Sequence, residues 1–339
     1  MCRRSLSRRR PLPWLTAVAV LAGGLLAAPA VALSAPPAPP AEASITLVVP
    51  FAAKGPTDTV ARALAAAMSA RSGRAVLVEN HAGSGGTAGA AAVAATRPDG
   101  NTLLLHHVGM ATAPVLYRSL PYDSRRDFEP IGRVVDVPMT LVARPGFPAR
   151  TLAHAVAYLK RERASVIVAY AGMGAASHLC GLLLSIALDV DFIQVPYRGT
   201  GPALADLQAG RADVMCDQTT NTAAPIRSGR IVGLGVTSAG RLPGMPGLPA
   251  VTEAGIRGLE LSIWHGLFAP RGTPTAVVAD RAALLRSALA SPAFVAAMKE
   301  MQAVVATPRQ ATPEGLALLL GEETARWAPI LRKAGQYAD

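Results

Sequence analysis

Residues 45–72 read ITLVVPFAAKGPTDTVARALAAAMSARS. The first five are apolar or β-branched and predict a buried strand, ended by Pro50, which cannot donate to a ladder. From 58 to 72 the apolar residues return at helical spacing, with Ala61, Leu64, Ala65 and Met68 on one face and Gly73 as the stop. A strand, a polar loop and a helix make half of a βα unit, and the unit recurs along the chain. Residues 75–78 predict a strand, 81–86 a Gly-rich turn, and the Ala-rich run to Thr96 a helix, with a third strand at 102–105. A second set follows: a crossing strand at 140–143, a helix at 152–161, a strand at 166–169 and a helix at 176–188. Then come a strand at 192–195, a helix opened by Pro202 and running to Gln208, and strands at 214–215 and 232–236. The Pro- and Gly-rich stretch 241–258 predicts a connection without regular structure. A strand at 261–268 and helices within 275–302 and 313–333 complete the chain. Strands alternating with helices predict an α/β fold of parallel-rich sheets covered by helices.

The two ends of the composition narrow the function classes. Arg3, Arg4, Arg8, Arg9 and Arg10 precede an apolar run from 14 to 28, and Ala30-Val31-Ala32 is a small-x-small site, with a second at Ala41-Glu42-Ala43. A basic start, an apolar middle and a small-residue end predict a secretory signal peptide over 1–32, by either the general or the twin-arginine route. The run is short for a membrane span and breaks at Pro29. Residues 33–43, rich in Pro and Ala, predict a disordered tether. The formal charge is +11; taking away the leader's five arginines, with no acids among them, leaves +6. That suits attraction of anionic solutes. The cations outside the leader are scattered and aromatics are only 4%, so neither a basic patch nor a stacking platform for nucleic acid is expected. Beyond the leader, Cys180 and Cys216 remain, without CxxC or zinc-like spacing; in an oxidising compartment they pair or stay as two buried thiols.

In open parallel sheets ligands bind where strands end and helices begin. Four turns fit that place: 50–58, 81–87, 172–178 and 196–202. Each brings glycines, small residues or hydroxyls to a helix N-terminus, where free N–H groups and about half a positive charge can hold a carboxylate or phosphate. The same residues are also ordinary turn and cap chemistry; four in one chain, two in each set, weigh toward a site. Gly83-Ser84-Gly85-Gly86-Thr87-Ala88 fits the dinucleotide fingerprint, but His106 and His107 stand where an acid would hold the ribose, so no cofactor is expected. Among motifs for chemistry, G-x-S-x-G, H-E-x-x-H and G-x-x-x-x-G-K-[ST] are missing, which argues against an enzyme such as a dehydrogenase on this scaffold. His106-His107 is the one histidine doublet, and strand neighbours point to opposite faces, so at most one faces a cleft.

Several landmarks agree in order and spacing with a known family. They are Pro50-Phe51, Gly55-Pro56-Thr57-Asp58, Val78-Glu79-Asn80, Ala82-Gly83-Ser84-Gly85-Gly86, Pro98-Asp99-Gly100 and Asp127-Phe128-Glu129-Pro130-Ile131. Ala176-Ser177-His178-Leu179, Val195-Pro196-Tyr197-Arg198-Gly199-Thr200-Gly201-Pro202 and Phe268-Ala269-Pro270-Arg271-Gly272-Thr273-Pro274 follow. From about Ile45 onward the chain resembles the substrate-binding proteins of tripartite tricarboxylate transporters, the Bug family. The resemblance implies a two-lobed, class II-like periplasmic-binding-protein fold with a ligand cleft, here with lobe one at 44–141 plus 259–339 and lobe two at 142–258. It implies a monomer that is exported to the periplasm, captures a small carboxylate and hands it to one large and one small membrane subunit, or reports it to a sensor protein. It assigns ligand contacts to Thr57, Asp58, Ser84, Gly85 and His107 in one lobe, and to Ser177, Arg198, Gly199, Thr200 and Asp217 or Gln218 in the other. Asp58, a like charge, is expected to cap its helix or orient water rather than touch the carboxylate. Two departures stand out: Lys54 replaces a common glycine, and 216–222 is more polar than in many relatives.

Overall fold

A computed structural model describes residues 44–335; the expected signal peptide over 1–32 and tether over 33–43 lie outside the described residues. In chain order the elements are β1 (Ile45–Val49), α1 (Pro56–Ser72), β2 (Val76–Asn80), α2 (Thr87–Ala94), β3 (Thr102–His107), α3 (Gly109–Leu116), β4 (Phe128–Ala143), α4 (Leu152–Arg161), β5 (Ile167–Tyr170) and α5 (Ala176–Leu188). They continue as β6 (Ile193–Pro196), α6 (Thr200–Gln208), β7 (Val214–Gln218), α7 (Thr219–Arg227), β8 (Val232–Val236), β9 (Ser262–Pro270), α8 (Thr275–Leu289), α9 (Pro292–Glu300), β10 (Val304–Val305) and α10 (Pro313–Ala334). The strands run β2-β1-β3-β9-β4-β7-β5-β6, with β8 and β10 both paired to β4.

The βα units build two parallel clusters, β2-β1-β3 and β6-β5-β7. Two antiparallel strands join them, so the sheet is mixed rather than parallel throughout. β9 pairs β3, His107 opposite His265, and then β4. β4 is 16 residues long and changes partner along its length. Up to Pro138, opposite Ser262, it pairs β9; from Met139, opposite Gln218, it pairs β7 on one side and, from Thr140, β8 on the other. One strand therefore joins both parts of the sheet. The sequence pattern predicted only its last four residues. Pro130, Gly132, Asp136 and Pro138 interrupt the apolar run, and the first two stand at a register slip, where bulges absorb them.

On one side Leu64 and Met68 of α1 pack against Ile45, Leu47 and Val49, together with Leu285 of α8, Phe294 of α9 and Leu103 of β3. Burying each such side chain stabilises by about 1.5–3 kcal/mol. On the other, Trp264 and Trp327 are fully buried, their indole N–H groups both donating to Glu323. The structure adds two helices that the pattern did not predict, α3 and α7; each carries a proline inside (Pro114, Pro225). It also starts α6 at Thr200, so that Pro202 is its third residue, still in the first turn where a missing N–H costs nothing. Cys180 of α5 and Cys216 of β7 form a disulfide, their Cα atoms 5.9 Å apart. Among the described residues no helix is long and apolar enough to cross a membrane.

Candidate functional site

All four turns converge on one cavity of about 560 Å³. One wall is Pro50–Ala52 and Gly55–Thr57 after β1, Ala82–Gly86 after β2, His107 at the end of β3, and Tyr117 behind α3. The facing wall is Ala171–Met173 and Ala175–Ser177 before and into α5, Tyr197–Thr200 into α6, and Asp217 and Gln218 at the end of β7. The walls meet across the cleft. Tyr117 Oη donates to the Met173 carbonyl at 3.3 Å, and Asn221 Nδ2 donates to the Lys54 carbonyl at 3.2 Å.

Ten of the eleven candidate residues line this space: Thr57, Ser84, Gly85, His107, Ser177, Arg198, Gly199, Thr200, Asp217 and Gln218. Asp58 is outside the lining. Its buried carboxylate accepts the Lys54 N–H at 2.7 Å, Arg62 at 2.9 and 3.0 Å, and Asn80 at 3.0 Å. Burial alone would push its pKa up, but these donors outweigh it and hold the group below the ordinary carboxylate range. Asp58 thus braces the first loop. Lys54 is exposed, also outside the lining, and sits at φ +63°, a left-handed position that glycine occupies without penalty. The sequence reading placed Phe51, Met173 and Tyr197 in the candidate turns without assigning them ligand contacts, and it missed Tyr117, which follows a helix with no visible periodicity.

Hydrogen bonding fixes which groups donate into the cavity. Ser177 Oγ accepts the Ala171 N–H at 2.8 Å, leaving its own proton free. His107 Nδ1 accepts the Gly109 N–H at 2.9 Å, so the neutral ring carries its proton on Nε2 and is a donor there. The ring stacks on Phe51 with centroids 4.4 Å apart. His106 is spent on the scaffold: Nδ1 accepts the His107 N–H at 2.8 Å and Nε2 faces Gly86. His265 Nδ1 reaches the Ile263 carbonyl, an acceptor only, so the Thr57 hydroxyl donates to His265 Nε2 at 3.2 Å. Burial holds all three rings neutral, His106 down to about 3, His265 to about 4 and His107 well below the ordinary value. Among the described residues no group of three or more His, Cys, Asp or Glu is placed to hold a metal.

The helix starts complete the donor set. α1, α5 and α6 begin at lining residues, so their first N–H groups, which have no partner inside the helix, lie at the cleft; in α1 these start at Thr57, since Pro56 has none. In the 83–86 turn all four residues have positive φ, Ser84 included, a left-handed run that glycine adopts without penalty. Gly199 (φ +102°) lies so close to Ala52 that an added Cβ would stand 3.1 Å from the Ala52 Cβ. Asp217 is the exception in this donor-rich space. It is fully buried and is pushed up by burial to about 7, with the Gln218 backbone and the Thr200 side chain pulling the other way.

The chain matches the model of the tripartite tricarboxylate transporter family receptor over residues 60–336. It is 42% identical over 292 residues to the UPF0065 protein in the TAR-I ttuE-ttuC' intergenic region of Agrobacterium vitis, covering 86% of this chain and 84% of that one. Among solved structures it is similar to the periplasmic binding protein BugD, with TM-score 0.84 and 46% identity, over 88% of this chain and 99% of that one. It is likewise similar to MatC of Rhodopseudomonas palustris with bound malate, with TM-score 0.81 and 39% identity, over 85% and 98% of the two chains.

Proposed function

Since this chain belongs to the tripartite tricarboxylate transporter receptor family, a family of periplasmic solute-binding proteins, we propose that it captures a small carboxylate by closing two lobes on it. The captured acid then passes to one large and one small membrane subunit. The observation that carries this is the donor set: helix starts and neutral N–H and O–H groups reach one cavity from both walls. A charge-assisted hydrogen bond nets about 1.5–3 kcal/mol, so three to five of them supply the roughly 8 kcal/mol of micromolar binding. A carboxylate buried without partners would be prohibitive, which is why both lobes must engage at once. The malate bound by the MatC relative supports the same ligand class here. The lobe boundaries 141/142 and 258/259 go with this reading: the partner change on β4 falls at 138/139, three residues from the first. So does export, with the mature chain starting after Ala32 or Ala43. The cavity does no chemistry on its ligand; His107 and Asp217 act as hydrogen-bonding groups.

A thermal-shift screen of several dozen organic acids tests the proposal. At least one carboxylate should raise the melting temperature in a dose-dependent way, and calorimetry should give one site per chain. If no acid protects the protein while an uncharged solute does, the carboxylate reading is wrong.

A further inference from the structure

The polarity of the cavity is uneven, and its one acceptor end is unsatisfied. Among the buried side-chain atoms without a hydrogen-bond partner are Asp217 Oδ2 and Gln218 Oε1. Both residues line the cavity and are about 1–2% exposed. The Thr57 hydroxyl, which donates to His265, adds only lone pairs to the same space. A buried acceptor without a donor costs free energy, more so when it is charged. The cation among the lining residues, Arg198, is exposed at the mouth. Burial pushes Asp217 up to about 7, while the Gln218 backbone and the Thr200 side chain favour the ionised carboxylate. A donor on the ligand satisfies Oδ2 and favours its ionised form.

Its position on the ligand follows from Thr200. This residue opens α6, so its N–H belongs to the anion-binding helix start, and it lines the cavity with Asp217, whose carboxyl its side chain is near enough to influence. A carboxylate held at that helix start lies within one residue's reach of Asp217. The ligand's donor therefore stands on the carbon next to its carboxylate.

Resting on the carboxylate reading above, we propose that Asp217, with Gln218 beside it, is the specificity-determining residue of the cleft and selects 2-hydroxy- or 2-aminocarboxylates over plain carboxylates. A hydroxyl supplies one donor; an ammonium supplies three, plus the countercharge.

The test is calorimetry on matched trios: propanoate, L-lactate and L-alanine; succinate, L-malate and L-aspartate; glutarate, L-2-hydroxyglutarate and L-glutamate. In the trio that binds best, the hydroxyl or amino member should bind about tenfold or more tighter than the plain acid, a difference of about 1.4 kcal/mol or more. Which of the two is tighter names the donor. In Asp217→Asn, shown by its melt to be folded, that preference should shrink at least about threefold; should the variant not fold, the parent's preference decides alone. Equal binding of the plain acid by the parent, or an unchanged preference in folded Asp217→Asn, overturns the proposal. Equal binding that tightens at low pH would mean that Asp217 enters protonated and donates to the carboxylate, which also overturns it. If all nine acids fail to bind, the carboxylate reading itself falls, an outcome distinct from tight binding without discrimination.

Discussion

Replacing Gly85 by alanine should leave the fold standing and abolish ligand capture. Gly85 stands at φ +60°, and a Cβ added there would lie 2.2 Å from the Met173 carbonyl oxygen and 2.5 Å from Tyr117 Oη. Ordinary van der Waals contact begins near 3.4 Å, so the facing loop must withdraw by roughly 1 Å. A hydrogen bond of ordinary length does not survive that displacement. The Tyr117–Met173 bond goes, and with it the reach of Ser177 and the α5 start toward a ligand held by the other wall. Losing two charge-assisted bonds at about 1.5–3 kcal/mol each costs 3–6 kcal/mol, at least about a hundredfold in Kd. The left-handed φ costs alanine a further 1–2 kcal/mol or so, a shift of only a few degrees in Tm for a chain of this size. The clash is relieved by opening the cleft rather than by unfolding. Calorimetry with the tightest-binding acid, alongside melts without ligand, reads both effects. Gly201→Ala is the control, because a Cβ there meets nothing within 4 Å. If Gly85→Ala binds within about threefold of the parent, the two walls do not close on the ligand as argued.

Gly199→Leu should cost more than Thr200→Val. The first places a side chain at φ +102° against Ala52, while the second removes one neutral hydroxyl from the lining, worth about 0.5–1.5 kcal/mol; the reverse order in calorimetry would refute the steric account. Reducing the Cys180–Cys216 disulfide, whose ends are 36 residues apart, should lower stability by about 4 kcal/mol on chain entropy and weaken binding through Asp217 next door. A melt unchanged by reductant, with two thiols alkylated, would contradict this. Stability should fall as pH drops from about 6.5 toward 4. His106, His107 and His265 stay neutral when folded but take protons when unfolded, whereas Asp217, raised to about 7, holds one extra proton in the folded state over much of the same window. Three against one leaves two protons net, about 3 kcal/mol per pH unit at the steepest. Melts that stay flat across that range would show that the rings are not buried neutral.

The local chemistry of this chain was legible residue by residue. Strand-ending Pro50, the helical spacing of Leu64 and Met68, and the glycines of the four turns act through neighbours a few positions away, so the sequence alone determined α4, α5 and β8 to the residue and pointed to the loops that form the cavity. What needed the tertiary structure is what depends on partners far along the chain. β4 is a strand because β9 and β7 hold it, across bulges that its own prolines would argue against. Tyr117 matters because Met173, 56 residues on, accepts its proton, and Asp58 is removed from the ligand because Asn80 and Arg62 claim its oxygens. The pairing of Cys180 with Cys216, left open by spacing, was decided by β7 lying under α5. The same holds for Asp217. Its identity was in the sequence, but whether a buried carboxylate oxygen goes without a donor is decided in three dimensions, by where Thr200, Gln218 and Arg198 fall around it.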